Sequence, residues 1–164
     1  MSHKVSVLFV CLGNICRSPT AHGIFEKRLR DRNLQDQILV DSAGTGDWHL
    51  GKAPDPRAQS YAQNRGYDIS HLRARQIEPS DFELFDYILA MDNQNLANIR
   101  SMQPADYRGH VSLFLDFLDE EEGQEVPDPY YGGAQGFELV VDMVERACDN
   151  LLENIRSRHP DIAP

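Results

Sequence analysis

The chain has 164 residues, 41 % of them hydrophobic, and its 26 Asp and Glu against 16 Lys and Arg leave a formal net charge of −10 at pH 7. That length suits one domain with one substantial core, expected to span 1–164, while the acidic balance argues against nucleic acid or an anionic membrane as partner, because those contacts need clustered Lys and Arg. The 3 cysteines are too few and too scattered for a disulfide framework, which points to a reducing compartment, the cytoplasm.

The first predicted element is a strand over 5–10. Val5, Val7, Leu8, Phe9 and Val10 form an apolar, β-branched run of the kind that is buried on both faces of a parallel sheet. The longest apolar stretch, residues 7–12, is far shorter than the ~20 residues of a membrane span, and a signal peptide ending there would strip out strand and loop together. The loop reads Cys11, Leu12, Gly13, Asn14, Ile15, Cys16, Arg17, and a helix is expected behind it. Ser18 reads as its N-cap, Pro19 as its first position, and Ala21, Ile24, Phe25 and Leu29 as its apolar stripe. Further strands are expected at 38–40, 87–90 and 111–115, and a helix over 93–102 capped by Asp92. The acidic run 119–122 reads as a solvated loop or helix end. The last helix shows an apolar stripe of Phe137, Val140, Val141, Val144, Cys148, Leu151, Leu152 and Ile155, so Cys148 reads as a core residue.

Strands separated by helices imply an α/β fold, a doubly wound four-stranded parallel sheet with helices on both faces. In such a sheet Cys11, Ser42, Asp92 and Asp128 follow strands or strand candidates, and one rim collects them. A helix N-terminus at the end of the Cys11 loop offers unpaired N–H groups and partial positive charge to an anion. The same field favours Cys11 as a thiolate, the form that attacks phosphorus. Arg17 adds a planar fork that can bind two phosphoryl oxygens together. Asn14 suits a loop position that needs left-handed backbone geometry. No second Cys or His pair stands at finger-like spacing, so no metal is expected.

The loop pattern of Cys, five residues, Arg and Ser resembles that of the low-molecular-weight protein tyrosine phosphatases. The likeness extends to Asp41, Ser42, Ala43, Gly44 and Thr45, to Trp48, His49 and Gly51, and to Val126, Pro127, Asp128, Pro129, Tyr130 and Tyr131. The resemblance implies hydrolysis of protein phosphotyrosine and small aryl phosphates, with Cys11 as nucleophile and Arg17 and the loop amides on the phosphoryl group. Asp128 would be acid and then base, because a phenolate of pKa ~10 departs far more readily when protonated. Trp48, Tyr130 and Tyr131 would wall the substrate ring, a role that competes with local packing. Ser18 would serve the Cys11 sulfur, the helix cap, or both. The resemblance also implies that Asn14, Ser42 and His71 brace the loop, and that Cys11 and Cys16 form a reversible redox lock. No cofactor is expected, since Arg17 and the amides take the part Mg²⁺ has in kinases. The expected partners are tyrosine-phosphorylated proteins, a tyrosine kinase among the possibilities, and the expected state a monomer or weak dimer. The alternatives are an arsenate reductase on the same fold, which needs shuttle cysteines absent from 75–100, and a non-catalytic phosphotyrosine-binding module, for which a nucleophile and an acid would be superfluous.

Overall fold

A computed structural model describes residues 3–118, 124–129 and 133–162 of the chain. In chain order the elements are β1 (Val5–Cys11), α1 (Arg17–Asp31), β2 (Ile38–Gly44), α2 (Pro56–Gln63), α3 (Asp81–Leu84), β3 (Tyr87–Ala90), α4 (Asn93–Met102), β4 (His110–Leu113), a 3-10 turn (Phe114–Phe117) and α5 (Gly133–Arg158). The acidic run 119–122 and the expected ring walls Tyr130 and Tyr131 lie outside the described residues.

Every residue of β1 is buried. The two-residue period of a strand sends its side chains to opposite faces. Val5, Val7, Phe9 and Cys11 accordingly enter a core shared with α1 and α5, whereas Leu8 and Val10 enter a second one with Phe82 of α3 and Ile99 of α4. Phe9 meets Phe25 and Phe114 edge-on, with ring centroids 5.8 Å and 5.0 Å apart. Removing a fully buried ring of this kind costs about 3–5 kcal/mol. The expected stripe of the last helix, Cys148 included, is buried in the same core.

The sheet order is β2-β1-β3-β4 and every pairing is parallel. The α/β fold read from the alternation of elements is therefore present, with helical layers on both faces. Because β1 has β2 on one side and β3 on the other, chain connections diverge at its carboxyl end and open a crevice there. Two strand limits differ from expectation. The second strand runs to Gly44, which pairs with Cys11, so the polar Asp41 and Ser42 belong to the ladder and not to a loop after it. The fourth stops at Leu113, opposite Ala90, the last residue of β3. With its neighbour gone, this edge strand has no ladder to continue, and Phe114 and Leu115 fill the core from a 3-10 turn instead.

Candidate active site

The loop from Cys11 to Arg17 joins β1 to α1 at that crevice. Its carbonyls are bonded outward: Cys11 O accepts from Thr45 N–H at 2.9 Å, Leu12 O from Gly46 N–H at 2.9 Å, Ile15 O from Asp55 N–H at 2.8 Å and Cys16 O from Thr20 N–H at 3.2 Å. In a trans peptide the following N–H points the opposite way. The N–H groups of Leu12, Gly13, Cys16 and Arg17 therefore turn toward the loop's concave side. Asn14 adopts the left-handed φ of 57° that the turn requires. The loop also presses on the end of β2, where a Cβ on Gly44 would come within 2.8 Å of Leu12 O, so only glycine fits.

Helix α1 begins at Arg17 with Cys16 as cap and carries no acidic residue in its first turn. Its N-terminal partial charge is thus left to an incoming anion. Ser18 is consequently not the N-cap expected from sequence but the second helical residue. Its Oγ lies 3.0 Å from Cys11 Sγ and accepts from Asn14 Nδ2 at 2.7 Å, while the Asn14 N–H donates to the same sulfur at 3.3 Å.

Arg17 is 3 % exposed. One terminal nitrogen donates to Asp92 Oδ2 at 2.7 Å and to Val126 O at 3.1 Å, and the other stands 3.7 Å from Asp128 Oδ2. Burial works against its charge, but Cys11, the Asp92 hydrogen bond and Asp128 outweigh it and hold the guanidinium above its ordinary pKa. Asp92 does cap α4, its Oδ1 accepting from Asn95 N–H at 2.8 Å. It also holds Arg17.

Cys11, Leu12, Gly13, Ile15, Cys16, Arg17, Trp48, His49 and Asp128 line one cavity of about 400 Å³. Trp48 is 65 % exposed at the rim, and the Asp128 carboxylate is 41 % exposed. Cys16 is buried, and its thiol is pushed well above the ordinary value by that burial, then by Asp55 and Cys11, which keeps it protonated at neutral pH. All three cysteines are free thiols.

The brace beneath the loop differs in membership from the expected Asn14, Ser42 and His71. Asn14 Oδ1 accepts from the Arg75 N–H at 3.0 Å, Ser42 Oγ pairs with His22 Nδ1 at 2.9 Å, and His71 is exposed. A histidine on α1 thus reaches Ser42 from one turn below Ser18, where helical spacing places residues four apart on one face. Sequence reasoning missed His49, Asp92 as the Arg17 partner, His22 and Arg75. Two of them carried a signal: His49 stands in a segment that resembles the family, and Asp92 is an acidic residue at the same sheet rim as an arginine that burial would oblige to find a counter-charge.

Among the described residues no helix is long and apolar enough to cross a membrane, and no group of three or more His, Cys, Asp or Glu could hold a metal. A family model described as low molecular weight phosphotyrosine protein phosphatase matches residues 6–160. The chain is 43 % identical over 153 residues to the low molecular weight phosphotyrosine protein phosphatase of Sus scrofa, covering 92 % of this chain and 96 % of that one. It is 41 % identical over 152 residues to the low molecular weight protein-tyrosine-phosphatase YfkJ of Bacillus subtilis, with 93 % and 96 % covered. The crystal structure of YfkJ superposes with a TM-score of 0.89 over 96 % of this chain and 98 % of that one, at 40 % identity. A protein tyrosine phosphatase of Entamoeba histolytica, crystallised with Hepes in its active site, gives 0.89 over 94 % and 98 %, also at 40 % identity. With the Cys11 loop, the buried arginine and the fold all in agreement, the chain belongs to the low molecular weight phosphotyrosine protein phosphatase family.

Proposed function

We propose that this enzyme hydrolyses protein phosphotyrosine and small aryl phosphates through a phosphocysteine on Cys11. The observation that carries the reading is the convergence of Cys11, Arg17 and Asp128 on one open cavity at a helix N-terminus. A phosphate dianion entering there meets the Arg17 fork and the inward loop amides, which stabilise its equatorial oxygens as charge develops. The Cys11 thiolate attacks phosphorus, the P–O bond to the ring breaks, and Asp128 delivers its proton to the departing phenolate oxygen. Water then attacks the phosphocysteine, Asp128 takes its proton, and the P–S bond breaks to return the thiolate and release inorganic phosphate. The Ser18 hydroxyl has one lone pair occupied by Asn14 Nδ2, and its own proton can turn to the leaving sulfur at 3.0 Å in preference to Ala43 O at 3.4 Å.

Trp48 at the rim supports an aromatic ester as substrate, since a ring carried by the phosphate would stack beside the indole. Tyrosine-phosphorylated proteins follow as partners and the cytoplasm as the site of action, in keeping with thiols that must stay reduced. The test is turnover of para-nitrophenyl phosphate and phosphotyrosine by the parent and by Cys11→Ser and Arg17→Ala, beside thiol-dependent arsenate reduction. Both variants should lose nearly all turnover, and Cys11→Ser should still bind phosphate. Arsenate reduction faster than ester hydrolysis would overturn the reading.

A further inference from the structure

Two of the contacts that orient groups toward the Cys11 sulfur pass through Asn14, the third being a longer bond from Ser18 Oγ to Ala43 O at 3.4 Å. The Asn14 N–H donates to that sulfur and its Nδ2 fixes the Ser18 oxygen. Its side-chain oxygen is held from outside the loop, by the backbone N–H of Arg75 at 3.0 Å. A backbone donor is only as fixed as the segment that bears it, and the segment around Arg75 is not a ladder strand. It touches the sheet at a single bridge between Gly44 and Gln76, where Gly44 N–H donates to Arg75 O and Ile77 N–H to Gly44 O, both at 2.8 Å.

Ala74 beside Arg75 is bonded to the chain after β2, accepting from Gly51 N–H at 2.8 Å and donating to Lys52 O at 2.9 Å, and the Arg75 side chain adds ties to β2 and α3. Nε donates to Asp41 Oδ2 at 3.0 Å, and the two terminal nitrogens reach both oxygens of Asp81 at 3.1 and 3.0 Å, a planar fork on a carboxylate. Asp81 is itself 4 % exposed and accepts from Glu78 N–H at 2.8 Å, while Asp41 Oδ1 accepts from Ser42 N–H at 2.8 Å. One guanidinium therefore ties β2 and α3 to the segment that carries the Asn14 partner. A lysine would keep the charge and lose the fork.

We propose that Arg75 is a positioning residue: its guanidinium, bridged between Asp41 and Asp81, fixes the N–H that locks Asn14 and, through it, sets Ser18 against the Cys11 sulfur. This rests on Cys11 as the nucleophile. The step it governs is the second, in which the P–S bond breaks and the sulfur departs with the Ser18 proton directed at it. Loosening Arg75 slows hydrolysis of the phosphocysteine more than its formation.

The experiment is stopped-flow and steady-state turnover of para-nitrophenyl phosphate by Arg75→Ala and Arg75→Lys. Arg73→Ala is the control, a neighbouring arginine bonded among the described residues to the Ser70 and Leu72 carbonyls. For Arg75→Ala, kcat should fall roughly tenfold, the kinetic equivalent of one lost hydrogen bond. KM should fall with it and a burst of nitrophenolate should appear as the phosphocysteine accumulates. Arg75→Lys should stay slow, Arg73→Ala should match the parent, and added guanidinium should partly restore Arg75→Ala where sodium chloride of equal strength does not. A kcat for Arg75→Ala within about twofold of the parent overturns the proposal, as does a fall with KM and burst per active site unchanged, the mark of a smaller active fraction. If Arg75→Ala does not fold, Asp41→Asn decides, since it keeps the acceptor for Ser42 N–H; a lowered kcat with a burst supports the proposal and an unchanged one overturns it. A parent enzyme without turnover would instead sink the function proposed above.

Discussion

Arg17 is a buried cation whose shortest ion pair is with Asp92, and the cost of breaking that pair can be worked out. Replacing Asp92 by Asn keeps a good helix cap for α4 and removes only the charge facing Arg17 at 2.7 Å. Breaking a fully buried pair costs about 3–5 kcal/mol, and a hydrogen bond to a charged group about 1.5–3 kcal/mol. Asp92 is 22 % exposed, and Arg17 keeps Val126 O at 3.1 Å and Asp128 at 3.7 Å. Asp92→Asn should therefore lie near the lower range, about 2–3 kcal/mol. Asp92→Ala also loses the bond from Asn95 N–H and should cost about 1 kcal/mol more. Urea denaturation measures both, and thermal midpoints should fall by about 2–4 °C per kcal/mol. Inorganic phosphate should recover part of the loss by supplying the missing negative charge to the native state alone. If Asp92→Asn is within about 0.5 kcal/mol of the parent, the ion pair has no net stabilising effect and the reasoning fails.

Three further outcomes are expected. Asp128→Ala should lose about 10²–10⁴ in kcat/KM toward phosphotyrosine and less toward para-nitrophenyl phosphate, whose leaving group is already acidic; equal losses in kcat/KM would remove Asp128 as the acid. Peroxide should inactivate the enzyme by oxidising the Cys11 thiolate to a sulfenic acid, which condenses with the Cys16 thiol and releases water. Reductant should restore the parent, and recovery of Cys16→Ser to the same extent would refute the lock. Burial works to raise the Asp55 carboxyl, but hydrogen bonds from the Arg57 side chain and N–H hold it below the ordinary carboxylate value. Because the unfolded chain titrates Asp55 near the ordinary value of about 3.9, its contribution is whole above that pH and is lost as pH falls through the lower folded value. Asp55→Asn should thus cost stability at neutral pH and little in acid, and a stability difference that fails to shrink on acidification counts against it.

Local patterns exposed much of this molecule. The continuous apolar run of β1, the stripe of α1 and the long stripe of α5 each reflect a burial demand that repeats with the period of its element, and so the α/β class, the loop at a strand end and the core position of Cys148 were legible from residues alone. Boundaries were less so. Asp41 and Ser42 broke an apolar pattern without ending β2, because the ladder with β1 extends to Gly44. Phe114 and Leu115 prolonged such a pattern in a chain whose neighbour had already left. The Ser18 and Pro19 pair signalled a helix start correctly but two residues late, since Cys16 is the cap and Arg17 the first helical residue.

By itself the sequence determined the chemistry: which strand end carries a thiol, an arginine, an asparagine fit for positive φ, and an acid placed far along the chain. Only the tertiary structure decided who holds whom. Asp92 meets Arg17 across 75 residues, Arg75 meets Asn14 across 61, and His22 takes Ser42 across 20. Such partners are selected by the packing of β1 between β2 and β3 and by the need of each buried polar group for a counterpart, and neither condition leaves a periodic trace in the chain.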